Sequence, residues 1–226
     1  MTTTIHLHHC VSARSFRPLW LLEELQQPYE LHMLPFPPRV HARPFLELNP
    51  LGTVPLLVHG CVRMTESAAI CQYLAGLHPQ AGLDVPPADS AYGAYLNWLH
   101  MSDATLTFPQ TLVLRYSRFE SAERLQPQVV EDYGRWFLSR LRAVETAVAQ
   151  AETLCADRFT AADVAVGYAL LLAQHLGLAE RFGPATAAYW QRLQARPGYQ
   201  RAQAAQHAAA LAQGVDPTPS PDLRLA

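Results

Sequence analysis

The feature that most constrains the fold is a change of hydrophobic pattern near residue 80. Residues 1–80 alternate β-like segments with helix-like segments, whereas residues 90–213 have helical spacing almost throughout. The stretch between them is rich in proline and glycine, which break regular structure. The chain is therefore expected to combine two different fold classes.

The pattern divides the chain into four parts. Residues 1–80 are predicted to form an α/β thioredoxin-like domain, and residues 90–213 an all-α helical domain. Residues 81–89 are the predicted linker. Residues 214–226, which contain three prolines, are predicted to form a flexible tail. A chain of 226 residues is long enough for two domains with cores of their own.

The N-terminal half is predicted to order its elements as β-α-β, then a β-hairpin and a helix. Strand and helix patterns fall at residues 3–9, 15–26, 29–34, 54–58, 61–64 and 67–77. The run Pro35-Phe36-Pro37-Pro38 is predicted to exclude regular structure. In the second half, helical patterns cover residues 90–115, 123–152, 160–176, 184–196 and 199–213.

One helix start is specified in unusual detail. Thr160 and Asp163 have the spacing of a capping box, in which each side chain satisfies a backbone amide near the other residue. Phe159 and Val164 flank them in the hydrophobic-staple arrangement. The pattern predicts a well-formed buried helix that begins after Thr160.

Two short motifs indicate a binding groove in the N-terminal half. Val54-Pro55 precedes an apolar run, and a proline there fits the start or the edge of a strand. Glu66-Ser67 opens a helix, whose free N–H groups and partial positive charge can hold a carboxylate. Together they predict a surface for a short extended peptide that carries a carboxylate.

The composition argues against several other classes of function. With 17 basic and 19 acidic residues, the chain lacks the positive charge typical of proteins that bind nucleic acids or anionic membranes. Its longest apolar helical stretch, residues 164–172, is too short to cross a bilayer. The N-terminus lacks a signal-peptide pattern and the four cysteines form no CxxC pair, which favours a cytoplasmic location.

These motifs, together with the first helix, resemble the cytosolic glutathione S-transferase family, in particular its bacterial and fungal branch. The helix reads Ser15-Phe16-Arg17-Pro18-Leu19-Trp20-Leu21-Leu22-Glu23-Glu24-Leu25, similar to the Ser-Arg-Ser-like start common in that branch. The likeness extends from Ile5 to about Gln213. It implies a domain that binds glutathione, a helical domain that supplies most of an electrophile pocket, and a homodimer.

The resemblance assigns glutathione contacts to the two motifs. Val54 would hold the cysteinyl unit by backbone pairing, and the Val54–Pro55 bond would be cis. Ser67 and the helix amides would bind the γ-glutamyl carboxylate, while Glu66 would accept the ammonium. From the residues alone, Pro55 could equally be a trans proline at a strand edge, and Thr65 or Ser67 a helix cap.

The cation for the glycyl carboxylate is left open. The family often has a basic residue where Thr53 stands, so this chain must find its cation elsewhere or bind the carboxylate more weakly. The candidates are Arg14, Arg39, His41 and Arg43. Asp103 matches an acidic position that, in relatives, can reach the γ-glutamyl ammonium across the dimer, although it could equally be an exposed helical acid.

Catalysis in this family depends on a donor that stabilises the glutathione thiolate. A free thiol has a pKa of about 8.5, so a group near the start of the first helix must lower it. When the chain is aligned on Arg17, Ala13 stands where the family has its first serine. The side chain of alanine cannot donate a hydrogen bond to the thiolate. Ser12, Ser15 or a helix-terminal amide could replace it, and each serine could equally be a helix cap.

Cys10 offers a different chemistry at the same place. Its thiol could form a mixed disulfide with glutathione and give thiol-transfer or reductase activity, or it could be a small buried residue. His6 and His8 share one strand face, next to His9 and Cys10, but no second pair of ligands is visible. No metal site is therefore expected.

The sequence thus predicts a dimeric cytoplasmic transferase that adds the glutathione thiolate to small hydrophobic electrophiles, without a metal. Four aromatic residues could line the electrophile pocket, namely Trp98, Phe108, Tyr116 and Phe119. Two alternatives remain open. One is a glutathione-dependent peroxidase or disulfide reductase, and the other is a glutathione- or hydrophobe-binding protein with little catalysis, which Ala13 makes credible.

Overall fold

The N-terminal half is built on one mixed four-stranded sheet. The computed structural model describes residues 4–224, so Thr3 of the first predicted strand and residues 225–226 of the predicted tail lie outside the described residues. The strands are β1 (Ile5–His9), β2 (Tyr29–Met33), β3 (Leu56–His59) and β4 (Val62–Met64), in the sheet order β2-β1-β3-β4.

The strand directions follow from the connections between them. β1 and β2 are parallel, because α1 (Phe16–Leu25) crosses over between them, whereas the β1–β3 and β3–β4 pairs are antiparallel. Leu7 lies opposite Leu31 of β2 and Leu57 of β3 and is fully buried. One face of the sheet is thus closed by apolar side chains, and the predicted α/β domain is confirmed.

The connection from β2 to β3 differs in part from the prediction. A short helix α2 (Pro38–His41) begins inside the run that was expected to exclude regular structure, because proline is tolerated at a first helical position. A second short helix, α3 (Phe45–Leu48), follows, and β3 begins two residues after Val54. Helix α4 (Ser67–Leu77) has the predicted bounds.

The second half is helical, as predicted. Its helices are α5 (Tyr92–Met101), α6 (Phe108–Leu114), α7 (Pro127–Val148), α8 (Ala161–His175), α9 (Pro184–Gln194) and α10 (Pro197–Ala212). Short 3₁₀ turns lie at Pro79–Ala81, Ala122–Arg124, Ala179–Arg181 and Ser220–Asp222. Within residues 4–224, no helix combines the length and apolar character that crossing a bilayer requires.

The single helix predicted over residues 90–115 is interrupted. The chain passes from α5 into a π-helical segment, Ser102–Thr107, before α6, and a second π-helical segment, Arg115–Phe119, follows α6. Pro109 has no N–H and its ring crowds the carbonyl of Thr105, so the regular hydrogen-bond ladder cannot continue there.

Helix α8 forms the centre of the helical half, and its start has the predicted capping box. The Thr160 amide donates to Asp163 Oδ2 at 2.8 Å, and the Ala162 amide donates to Thr160 Oγ1 at 3.3 Å. Nearly every residue of α8 is buried. A helix surrounded by other elements must satisfy its end groups internally, which is what this pair of side chains does.

The predicted flexible tail is wrong for the residues around the last turn. The Ser220 amide donates to the Val11 carbonyl at 2.8 Å, and Ser220 and Pro221 are buried. Arg118 donates to the Pro221 carbonyl, and Asp222 pairs with His175 at 2.9 Å. Prolines have little backbone freedom to lose, so a proline-rich segment can be ordered at a small entropic cost when it finds such partners.

Candidate functional site

A cleft of about 370 Å³ lies between the loops of the sheet domain and the helical domain. The sheet domain contributes Ala13, Arg14, Phe36, Pro38, Arg39, Gly52, Thr53 and Val54 to its lining. The helical half and the C-terminal segment contribute Thr107, Thr111, Leu114, Arg115, Phe119, Glu120, Tyr168, Leu172, Ser220 and Pro221. The sheet side of the cleft therefore carries two arginines and the loop at Val54, whereas the helical side combines apolar side chains with polar ones, including Arg115, which pairs with Glu120 at 2.6 Å.

The loop before β3 contributes Gly52, Thr53 and Val54 to the lining of this cleft. The Val54–Pro55 bond is cis, as the resemblance implies. Within residues 4–224, the amide and carbonyl of Val54 have no backbone partner. The buried Asn49 holds the loop, since its Nδ2 donates to the Thr53 carbonyl at 2.8 Å and its Oδ1 accepts from the Leu51 amide at 3.2 Å. An extended peptide could pair with Val54 here.

Gly52 is required by the same turn. Its φ is +61°, and a Cβ at this position would lie 2.7 Å from Arg39 Cβ. Glycine alone tolerates both the left-handed conformation and the close approach of the two chain segments. The turn therefore brings Arg39 and Val54 to the same cleft.

Glu66 and Ser67 stand at the start of α4, next to the cleft but outside its lining. Glu66 is extended and exposed, whereas Ser67 is buried. Ser67 Oγ accepts a hydrogen bond from Arg17 Nη1 at 2.8 Å. Because the bond uses a lone pair of the hydroxyl, its proton can still be donated to another acceptor.

Arg17, which served only to align the first helix with the family, was not predicted as a site residue. Its guanidinium is fully buried and lies 4.7 Å from the centre of the Tyr168 ring. Its acceptors are Ser67 Oγ (2.8 Å), Asp103 Oδ1 (3.0 Å), the Ser102 carbonyl (3.0 Å), Thr107 Oγ1 (2.7 Å) and the Ala165 carbonyl (2.9 Å). One side chain thus ties α1, α4, the first π-helical segment and α8 together beneath the cleft.

Asp103 connects this buried network to the cleft. Its Oδ1 lies 3.0 Å from Arg17 Nη1 and 3.3 Å from Arg14 Nε, and Arg14 lines the cleft. Burial by itself would raise the pKa of the Asp103 carboxyl, but the two arginines outweigh it and lower the pKa. The carboxylate is therefore charged at neutral pH and acts within its own chain here, while contact across a dimer stays a prediction.

The three candidate catalytic residues, the possible thiol-activating Ser12 and Ser15 and the possible redox residue Cys10, lie inside the protein. Ser12 has φ +54° and is buried against Gln206, whose Nε2 lies 3.5 Å from its hydroxyl. Ser15 is buried and its Oγ accepts from the Cys10 amide at 3.4 Å. Cys10 is itself fully buried, and burial raises the pKa of its thiol. The geometry argues against all three as groups that contact a ligand in the cleft, since the residues of this loop that line it are Ala13 and Arg14.

Of the four basic candidates, Arg14 and Arg39 line the cleft. His41 lies at the end of α2 and Arg43 just beyond it, and both are exposed outside the lining residues. Within the lining, the sheet domain therefore supplies the cations Arg14 and Arg39, and the helical half supplies Arg115, which is paired with Glu120.

The apolar wall differs from the predicted one. Among the four aromatic candidates, Phe119 lines the cleft and packs at 5.4 Å from Phe36, whereas Trp98, Phe108 and Tyr116 are outside the lining. Tyr168 of α8, which the sequence did not indicate, also lines it. Burial raises the pKa of Tyr168 to about 12, so its hydroxyl is protonated at neutral pH.

Comparisons with known proteins agree with this architecture. A family model described as the N-terminal domain of glutathione S-transferase matches residues 7–82. Glutathione S-transferase 3 of Zea mays is 30% identical over 208 residues, which cover 86% of this chain and 90% of the relative. A solved glutathione transferase from Methylococcus capsulatus str. Bath superposes with a TM-score of 0.79 at 28% identity, covering 89% of this chain and 98% of the other.

A third comparison concerns the fold alone. The structure of a sphingomonad glutathione S-transferase complexed with glutathione superposes with a TM-score of 0.78 at 22% identity, covering 88% of this chain and 98% of the other. The relative from maize is similar over nearly its whole length, in both domains. The chain belongs to the glutathione S-transferase family of enzymes.

Proposed function

We propose that the protein binds glutathione along Val54 and joins its thiolate sulfur to small hydrophobic electrophiles, so that a carbon–sulfur bond forms as the leaving group departs or, in an addition, as the electrophile takes up the thiol proton. The observation that carries the proposal is Val54, which lines the cleft and whose backbone has no backbone partner among residues 4–224. A tripeptide paired there would place its cysteinyl sulfur between the loop at Ala13 and the apolar wall. The sphingomonad enzyme, which has this fold, was solved with glutathione bound.

The ends of the tripeptide have matching partners on either side. The γ-glutamyl carboxylate would meet the Ser67 hydroxyl and the free amides at the start of α4, and Glu66 would accept the ammonium. Arg17 supports this end, because it holds Ser67 Oγ and adds positive charge below the helix start. Arg39 would take the glycyl carboxylate at the other end of the cleft.

Arg14 is the group that we assign to the thiolate. It follows Ala13 in the loop before α1, lines the cleft and carries a positive charge, whereas the neighbouring hydroxyls of Ser12 and Ser15 are turned inward. A nearby cation stabilises the anionic form of a thiol and so lowers its pKa. The thiolate then attacks an electrophile held against Phe36 and Phe119.

Glutathione affinity tests the first part of the proposal. Ser67→Ala removes a donor to a charged ligand, which contributes about 1.5–3 kcal/mol, so the dissociation constant is expected to rise by about 10- to 100-fold. Glu66→Gln removes the charge that meets the ammonium and is expected to have an effect of similar size. Isothermal titration calorimetry with glutathione measures both.

Exposed residues elsewhere provide matched controls. Ser90→Ala and Glu152→Gln make the same chemical changes at exposed positions and are expected to leave the affinity within a factor of two. If Ser67→Ala and Glu66→Gln bind glutathione as tightly as the wild type, the groove along Val54 is not the binding site.

The pKa of bound glutathione tests the role of Arg14. Because Arg14 is expected to stabilise the thiolate, Arg14→Gln should raise the apparent thiol pKa by about one unit, equivalent to about 1.4 kcal/mol. Ser12→Ala and Ser15→Ala should leave it within a few tenths of a unit. The ultraviolet absorbance of the bound thiolate, followed against pH, gives the value for each variant.

The opposite result would indicate that a serine, and not Arg14, stabilises the thiolate. A rise in the thiol pKa with Ser15→Ala, and none with Arg14→Gln, would mean that the buried hydroxyl turns towards the ligand on binding. A bound thiol of unperturbed pKa in the wild type would instead support the alternative of a binding protein with little catalysis.

The redox alternative has less support from the geometry. A mixed disulfide requires an accessible thiolate at Cys10, but this side chain is fully buried and burial raises its pKa. A peroxidase or reductase activity that uses Cys10 would therefore require a conformational change that exposes its thiol. The expected homodimer and the cytoplasmic location stay predictions.

A further inference from the structure

Four polar side chains gather on the face of the sheet opposite Leu7. His6 and His8 lie on β1, and the strand register pairs them with Glu30 and His32 of β2. Residues at alternate positions of a strand point to the same face, so all four share one face at the edge of the sheet. None of the four lines the cleft.

Three of these side chains converge on one point. His6 Nδ1 lies 3.1 Å from His32 Nε2 and 3.2 Å from Glu30 Oε2, and His32 Nε2 lies 3.9 Å from Glu30 Oε2. In a tetrahedral zinc site, bonds of about 2.0–2.1 Å place neighbouring ligand atoms about 3.3–3.4 Å apart. The three atoms therefore lie close to the corners of one face of such a tetrahedron.

Neighbouring rings hold the His32 side chain in place. The ring of His8 stacks on that of His32 with centroids 4.8 Å apart, and Phe45 packs 5.3 Å from His8. This stack limits rotation of the His32 ring, as groups around a metal centre commonly do.

We propose that His6, Glu30 and His32 form a binding site for one divalent late first-row metal ion such as zinc. Two imidazoles and one carboxylate are the donor set, and half-exposed side chains leave a fourth position open to water. The ion would join the edge strand β2 to the central strand β1. The site is separate from the glutathione cleft, so the inference does not rest on the proposed function.

The test uses the metal ion alone with the full chain. Co²⁺ is added to the chelator-treated protein, and its visible ligand-field spectrum reports coordination number and nitrogen ligation, while calorimetry with Zn²⁺ gives the stoichiometry. We expect one ion per chain and a tetrahedral spectrum. His32→Ala and Glu30→Gln are each expected to weaken binding at least tenfold.

Two control variants exclude other metal-binding groups. His100→Ala removes an exposed imidazole on α5, and Cys61→Ser removes the exposed thiol, and both should bind the ion like the wild type. Glu30→Gln keeps the shape of the side chain, so it stays informative if a histidine variant fails to fold. The proposal is overturned if the wild type takes up no ion, or if Glu30→Gln and His32→Ala bind it with unchanged affinity.

Discussion

Arg17→Met is expected to lower the free energy of unfolding by about 3–5 kcal/mol, the usual cost of removing one partner from a buried ion pair. Arg17 is fully buried and makes five hydrogen bonds, so its loss leaves Asp103 without its main counter-charge and Thr107 and Ser67 without a donor. Methionine fills much of the volume, which separates the electrostatic loss from a cavity. Urea denaturation followed by tryptophan fluorescence measures the change.

The same substitution is expected to weaken glutathione binding by at least tenfold, because Ser67 then loses the contact that orients it. Arg17→Lys separates charge from geometry, since an ammonium cannot reach all of the acceptors that the planar guanidinium does. Asp103→Asn in the Arg17→Met background should recover part of the lost stability, because it removes a partly buried charge that then has only Arg14 as a partner.

An exposed arginine provides the control for this prediction. Arg135→Met removes a side chain on α7 whose ion pairs with Glu131 and Asp132 are on the surface, and it should change stability by less than about 1 kcal/mol. If Arg17→Met lowers the free energy of unfolding by no more than Arg135→Met does, the hydrogen bonds of Arg17 contribute little to stability. The proposal that Arg17 orients Ser67 would then be wrong.

Local pattern was sufficient to predict most of the fold. The bounds of α4 and the start of α8 follow from apolar spacing and capping residues that act within a few positions of the chain. The interruption after α5 was missed, although Pro109 is visible in the sequence, because proline is also tolerated in a first turn. The packed turn at Ser220 was missed because its partners are distant in sequence.

The site was only partly predictable because it depends on tertiary contacts. The motifs around Val54 and Ser67 are contiguous and could be read directly. The orientation of Ser12 depends on its own left-handed backbone and on Gln206 of α10, which no local pattern specifies. Arg17 looks like one polar residue in an apolar helix until its acceptors on other helices are known.

The candidate metal site illustrates the same difficulty. The sequence showed His6 and His8 on one strand face, but the second pair of ligands comes from the neighbouring strand. Only the register of β1 on β2 brings Glu30 and His32 beside them. A shift of one residue would move both side chains to the opposite face.

Asp163→Ala is expected to destabilise the protein by about 3–5 kcal/mol, because about three buried donors would each lose a bond to a charged acceptor. The fully buried carboxylate accepts from the Thr160 amide at 2.8 Å, the Leu154 amide at 3.1 Å and the Tyr189 hydroxyl at 2.8 Å. It thus fixes the start of α8, the loop before it and α9 at once. Chemical denaturation measures the loss.

Two further variants decide whether the carboxylate acts on all three groups. Tyr189→Phe removes one donor and should cost only about 1 kcal/mol. Asp132→Ala, the same change as Asp163→Ala on the exposed surface of α7, should stay within about 0.5 kcal/mol. If Asp163→Ala costs no more than Tyr189→Phe, the capping box and the loop amide contribute nothing measurable, and the central helix must be held by apolar packing alone.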